Sequence, residues 1–153
     1  MPETVTKQEN KLLEYVLVCV QFAAILFIGI TTAWHVLPLW AAVAGIICFS
    51  LGGYAILVMK LDNLHVLPHP VEKAEMVLHG PYRFIRHPMY ASVLLTGLML
   101  IAGDFSAIRL VVWLLLLVDL IVKLEYEEKL LVLQFPEYEA YRKGTSRLIP
   151  FLY

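Results

Sequence analysis

Long apolar stretches alternate with short polar ones along this chain, and the boundaries between them are sharp. From Tyr15 to Met59 there is no Asp, Glu, Lys or Arg. One bilayer crossing takes ~20 apolar residues, so this stretch predicts two crossings and a turn. Helix one is expected over about Leu12–Thr32, with Trp34 and His35 at the interface. Helix two is expected over about Leu39–Met59, where Trp40 suits an interfacial ring. Pro38 marks the turn between them. Gly45, Ser50, Gly52 and Gly53 give helix two a line of small residues that lets a neighbouring helix approach closely.

A polar interval follows from Lys60 to His87, holding Pro68, Pro70 and Pro81 and the histidines His65, His69, His79 and His87. Loops of this length are functional or disordered; the recurring Leu64, Val66, Val77, Tyr82 and Phe84 argue for order. Pro88 then opens helix three, about Pro88–Ala102, which Gly103-Asp104 ends. Helix four starts near Ser106 and is apolar to Val118. It continues through Asp119, Lys123, Glu125, Glu127, Glu128 and Lys129 with no breaker before Pro136. This pattern predicts one long helix that leaves the bilayer at about Lys123. A short amphipathic helix, Glu137–Lys143, and an apolar tail, Leu148–Tyr153, complete the pattern.

The expected fold is an all-α integral membrane protein with four transmembrane helices. A long cytoplasmic loop joins helices two and three, and a cytoplasmic amphipathic helix follows helix four. It forms one domain over 1–153, divided into the first two helices (1–59), the loop (60–87) and the segment after it (88–153). The polar start, Met1–Glu14, precedes an apolar run too long for a signal peptide and is expected to be retained.

Composition agrees. The chain has 153 residues, 60% hydrophobic and 16% charged, with a mean hydropathy of +0.74. Those values exclude a water-soluble enzyme, a disordered chain and a secreted disulfide scaffold. A net charge of −1 gives no electrostatic basis for nucleic-acid binding. Cys19 and Cys48 sit in apolar runs, where a free thiol behaves as a small hydrophobe, and no metal-ligand spacing is present. Of the twelve basic residues, all but Arg109 fall on one side of the four-helix topology. The positive-inside rule makes that side, with both termini and the long loop, cytoplasmic.

Two clusters on that face carry the candidate chemistry. In the first, Gly80-Pro81 forces a turn that delivers Arg86, His87 and Tyr90 to the N-terminal end of helix three. A helix N-terminus suits a carboxylate or phosphate. In the second, Asp119, Lys123 and Glu127 share one helix face at four-residue spacing. An acid within a bilayer span is costly and faces protein or a water-filled cavity.

The segment Gly80-Pro-Tyr82 followed by Arg86-His-Pro-Met-Tyr90 resembles the signature of the isoprenylcysteine carboxyl methyltransferases and related phospholipid methyltransferases, G-P-Y-x-x-x-R-H-P-x-Y. Glu127-Glu128, Phe135-Pro-Glu-Tyr138, Tyr141 and Leu148-Ile-Pro-Phe151 are similar to that family's second block. The resemblance covers about Met76 to Phe151. It implies a multi-pass enzyme that moves a methyl group from S-adenosyl-L-methionine to a membrane-borne acceptor, releasing S-adenosylhomocysteine. It puts the cofactor against Met76, Val77, Tyr82, His87, Pro88, Met89, Tyr90 and Glu127.

Two departures bear on the acceptor. Lys123 stands where members acting on a carboxylate have Arg, and the Phe135–Tyr138 element is one residue short. A carboxylate acceptor, such as a prenylated cysteine, would lie beside Lys123 or Arg86; an amine acceptor, such as phosphatidylethanolamine, would need Glu128 or His87 to take its proton. Membrane lipids are the expected surroundings in either case. Two other readings stand beside these: an NADPH-dependent membrane reductase and a non-catalytic four-helix membrane module.

Overall fold

The computed structural model describes residues 2–59 and 76–150, with side chains from residue 12 onward. Five α-helices follow one another among them: α1 (Pro2–Thr31), α2 (Leu39–Met59), α3 (Pro88–Gly103), α4 (Ala107–Gln134) and α5 (Tyr138–Gly144). One 3-10 turn, Gly80–Arg83, precedes α3, and a lone parallel bridge joins Ile85 to Ser146. Residues 60–75 of the expected loop, with His65 and His69, lie outside the described residues, as do residues 151–153 of the tail, with Phe151.

The element boundaries follow local chemistry. The first helix begins at Pro2 rather than near Leu12. Pro2 suits a first helical turn, and Glu3, Lys7, Gln8, Glu9 and Lys11 are good helix formers with no breaker among them. Pro88 occupies the first turn of α3. Ser106 caps α4, its hydroxyl accepting from the backbone N–H of Arg109 at 3.5 Å. As expected, α4 is one unbroken helix of 28 residues.

In the packing, α2 lies along α3 and α1 along α4, while α3 also touches α1 and α4. The core follows the α4 face Leu116, Leu120 and Leu124, with Ala91 and Leu94 of α3 and Ala24 of α1; Ile85 and Leu148 close its lower end. Of the small residues on α2, Gly52 is the close-approach point, since a Cβ there would run into the Ser92 side chain. Ser92 in turn donates to the Cys48 carbonyl at 2.8 Å. Gly45 and Gly53 face open space.

Two helical segments, Leu12–Thr31 and Leu39–Met59, are long and apolar enough to cross a membrane. Of the other two apolar helices, α3 has 16 residues, and α4 has its apolar run interrupted by Arg109, Asp119 and Lys123. All three of those charges turn inward, at 4%, 7% and 3% exposure. The outer face of α4 stays apolar through Ile108, Val111, Leu115, Val118 and Val122, all exposed. The Arg109 guanidinium bonds the Asp104 carboxylate at 2.6 Å, the Thr31 carbonyl at 2.5 Å and the Asp104 carbonyl. With Ala33 N–H also donating to Asp104 at 3.0 Å, this clamp ties the end of α1 to the α3–α4 turn.

Candidate active site

The site lies at the other end of α3 and α4, and it begins with a turn. Gly80 takes a φ of +61°, a conformation open to glycine at no steric cost, and a Cβ there would press on Val58 of α2. Pro81 and Tyr82 follow, both buried. The Tyr82 hydroxyl points at the Ala55 carbonyl, 3.5 Å away, and at Met59 Sδ, 3.8 Å away, so the turn is pinned to the end of α2. From the opposite side the Tyr141 hydroxyl of α5 donates to the Tyr82 carbonyl at 2.5 Å. Burial pushes the Tyr141 phenol up to about 12 and Tyr82 well above its ordinary range, so both keep their protons at neutral pH.

The next four residues pair with the segment after α5. Ser146 N–H donates to the Phe84 carbonyl at 3.2 Å, Arg86 N–H to the Ser146 carbonyl at 2.8 Å and His87 N–H to the Arg147 carbonyl at 3.0 Å. This short ladder fixes the backbone that carries Arg86 and His87. His87 is the N-cap of α3 and makes no side-chain capping bond. The first backbone N–H groups of α3 beyond Pro88, at Met89 and Tyr90, lie in the turn where a helix offers no intrahelical acceptor.

Glu128 gathers the inner half of the site. It is 2% exposed. Arg86 Nε donates to its Oε1 at 2.7 Å, with His87 Nε2 at 3.3 Å. Arg142 Nε and Arg147 Nε each lie 3.6 Å from its other oxygen. Burial raises this carboxyl, but hydrogen bonds with His87 and Arg86 outweigh it and bring the pKa down to about 2. The Arg86 guanidinium also reaches the Arg142 carbonyl at 3.0 Å, the Thr145 hydroxyl at 3.3 Å and the Thr145 carbonyl. Arg86 is thus committed to tying α4, α5 and the following segment together.

Glu127 forms the outer half and is the more accessible acid, its side chain 28% exposed. The Tyr90 hydroxyl donates to it at 2.8 Å, and His87 Nδ1 lies 3.8 Å away. The His87 and Tyr90 rings stack in parallel at 5.3 Å. Lys123 Nζ sits 5.5 Å from the Tyr90 ring centre and donates to Gln21 Oε1 of α1 at 2.8 Å. Asp119, one turn further along α4, is buried, and its Oδ2 has no hydrogen-bond partner.

Most of the residues singled out in the sequence therefore meet: Tyr82, Arg86, His87, Tyr90, Lys123, Glu127 and Glu128 lie on one connected network. Pro88 is buried and Met89 half-buried at the start of α3. Met76 and Val77 are half-buried before the turn, and no hydrogen bond or ion pair among the described residues joins them to the glutamates. The sequence reading missed the α1 contributions, Gln21 to Lys123 and Glu14 to the Tyr126 hydroxyl at 3.1 Å. It also missed the roles of Arg142, Thr145 and Arg147. A lone Gln in an otherwise apolar span was the available signal for the first.

A family model described as the isoprenylcysteine carboxyl methyltransferase (ICMT) family matches residues 43–133. The matched stretch runs from α2 to nearly the end of α4 and contains Arg86–Tyr90 and Glu127–Glu128; all of α1 and α5 lies outside it. No curated protein matches the chain.

Proposed function

The chain belongs to the isoprenylcysteine carboxyl methyltransferase family. From that premise we propose a membrane enzyme that transfers a methyl group from S-adenosyl-L-methionine to the carboxylate of a prenylated cysteine or similar lipophilic molecule. The observation that carries this reading is the junction of the α3 N-terminus with Glu127. First-turn backbone N–H groups, a half-exposed carboxylate and two stacked rings stand within one small region. That donor set fits an amino-acid head, ribose hydroxyls and a sulfonium cation: amides for the carboxylate, Glu127 for the ammonium or hydroxyls, rings for the cation.

When bound, the cofactor supplies an electrophilic methyl group on a positively charged sulfur. The residues of the chain hold and orient. Glu128 and Arg86 fix the relation of α3 to α4, and Lys123 offers its charge to the acceptor. An acceptor carboxylate held beside Lys123 would already be ionised, so the chain would have to position it against the methyl group and would have no proton to remove. Opposite charges vanish together, which a dry site favours. An amine acceptor would need a base, and the Arg86 and His87 contacts that hold Glu128 in its ionised form make that carboxylate a poor one.

For topology we propose four membrane crossings with the site and termini cytoplasmic. The inward-turned charges of α4 leave its outer face apolar. Arg109, the one basic residue on the far side, is neutralised by Asp104. α3, at 16 residues or ~24 Å, is short for a ~30 Å core and lies against three other helices.

Calorimetric titration of the detergent-solubilised protein with S-adenosylhomocysteine and, separately, NADPH tests the cofactor. S-Adenosylhomocysteine is expected to bind and NADPH not to. Glu127→Gln and His87→Ala should each weaken binding about ten- to a hundred-fold, the ~1.5–3 kcal/mol of a charged contact. Full affinity in both folded variants refutes this pocket.

A further inference from the structure

We propose that docking of residues 145–148 against the start of α3 is coupled to occupancy of the cofactor site, with His87 as the shared part and Arg142 and Arg147 as the latch. This rests on the cofactor reading and adds regulation to that same site. His87 takes part in both. Its backbone N–H donates to the Arg147 carbonyl at 3.0 Å. Its ring stacks on Tyr90, and its Nδ1 lies 3.8 Å from Glu127, the acid offered to the cofactor. Its Nε2 lies 3.3 Å from Glu128, the acid that Arg142 and Arg147 reach. A ligand held by Glu127 and the stacked rings therefore orders the residue on which the segment pairs. A docked segment orders the residue that the ligand meets. Each event reduces the entropy that the other still has to lose, which is positive coupling, equal in both directions.

The latch is set but not tight. Arg142 Nε and Arg147 Nε both stand 3.6 Å from Glu128 Oε2, and that buried oxygen accepts no hydrogen bond. A shift of ~0.7 Å would bring either guanidinium to ordinary hydrogen-bond distance, so a tighter docked position lies within reach. On their outer sides the same arginines pair with exposed acids, Arg142 with Glu139 at 3.3 Å and Arg147 with Glu125 at 3.5 Å. Exposed pairs of this kind contribute little and are screened by salt, so they steer the arginines without locking them. Both arginines lie beyond the matched family stretch, so the family match does not carry the latch.

Amide hydrogen exchange of the full chain in detergent tests the coupling, with and without saturating S-adenosylhomocysteine. The probe is the Ser146 N–H, which donates to the Phe84 carbonyl and belongs to the segment rather than to the proposed pocket. The ligand is expected to slow its exchange at least ~10-fold. Replacing the latch, with Arg142→Gln and Arg147→Gln together, should speed Ser146 exchange in the free protein. It should also weaken S-adenosylhomocysteine about threefold or more, since only the docked fraction binds well. An unchanged Ser146 rate in ligand-saturated parent overturns the coupling and leaves the cofactor reading intact. Slowing of the α1 amides by the same factor is general stabilisation and overturns it too, as does full affinity in the double variant. Absence of any S-adenosylhomocysteine binding removes both readings. If the double variant does not fold, the parent's Ser146 rate alone decides.

Discussion

At the scale of single residues, Glu127 and Glu128 show how neighbours on one helix acquire opposite duties. Consecutive residues point ~100° apart on a helix, so one turns under the arginines and the other toward Tyr90. Which is which depends on where α5 arrives, and that has no local signature. The sequence reading assigned Glu127 to the cofactor and Glu128 to a possible base, and carried no sign that Glu128 would lie under the arginines. Glu128 also ties stability to pH. Its carboxyl titrates near 4.5 when unconstrained and at about 2 in the fold. A depressed folded pKa contributes stability that is full above pH ~4.5 and drains away as pH falls toward 2. Thermal melts followed by circular dichroism should show the midpoint falling between pH 5 and 3. Glu128→Gln should flatten that slope and lower the midpoint at pH 7, because it leaves Arg86 without its anion.

At the scale of elements, the helices were legible because proline, glycine and charge punctuate apolar runs. Pro38, Pro88, Gly103 and Pro136 fall beside the observed ends. What each helix presents to its neighbour was less legible. Four small residues on α2 looked equivalent, yet Gly52 meets Ser92 while Gly45 and Gly53 meet nothing. Gly52→Val should overpack this contact and cost ~1–3 kcal/mol. Gly53→Ala should be neutral or stabilising by up to ~1 kcal/mol, since it adds helix propensity in open space. Melting the two variants side by side checks the asymmetry; equal losses would mean that α2 and α3 pack differently. The polar seam between α1 and α4 was missed for the same reason. Glu14 and Gln21 acquire meaning only once α1 is known to lie on Lys123 and Tyr126.

For the whole molecule, the distribution of basic residues predicted sidedness, and the buried Arg109–Asp104 pair removes its single exception. In sealed vesicles, with Cys19 and Cys48 replaced by Ser, a Phe105→Cys probe between α3 and α4 should label only from the non-cytoplasmic side. Lys143→Cys should label only from the cytoplasmic side. Phe105→Cys labelled from the cytoplasm would overturn the four-crossing topology. The motifs placed the site at the start of α3 and the foot of α4, where the network is found. The bridge from Ile85 to Ser146 was not legible, because pairing between distant segments leaves no periodicity in either.

That bridge also sets an order of events during synthesis. Arg86 and His87 leave the ribosome long before Ser146 and Arg147, the residues whose carbonyls hold their backbone. At ~5–20 residues per second the interval is about 3–12 s. Through that time Arg86 has no Arg142 or Thr145 carbonyl to bond, and Glu128, once made, lacks Arg142 and Arg147. The helices can enter the bilayer as they are made, but Arg86 and Glu128 gain these partners only when the segment after α5 folds back. The nascent chain is a membrane protein before it is a methyltransferase.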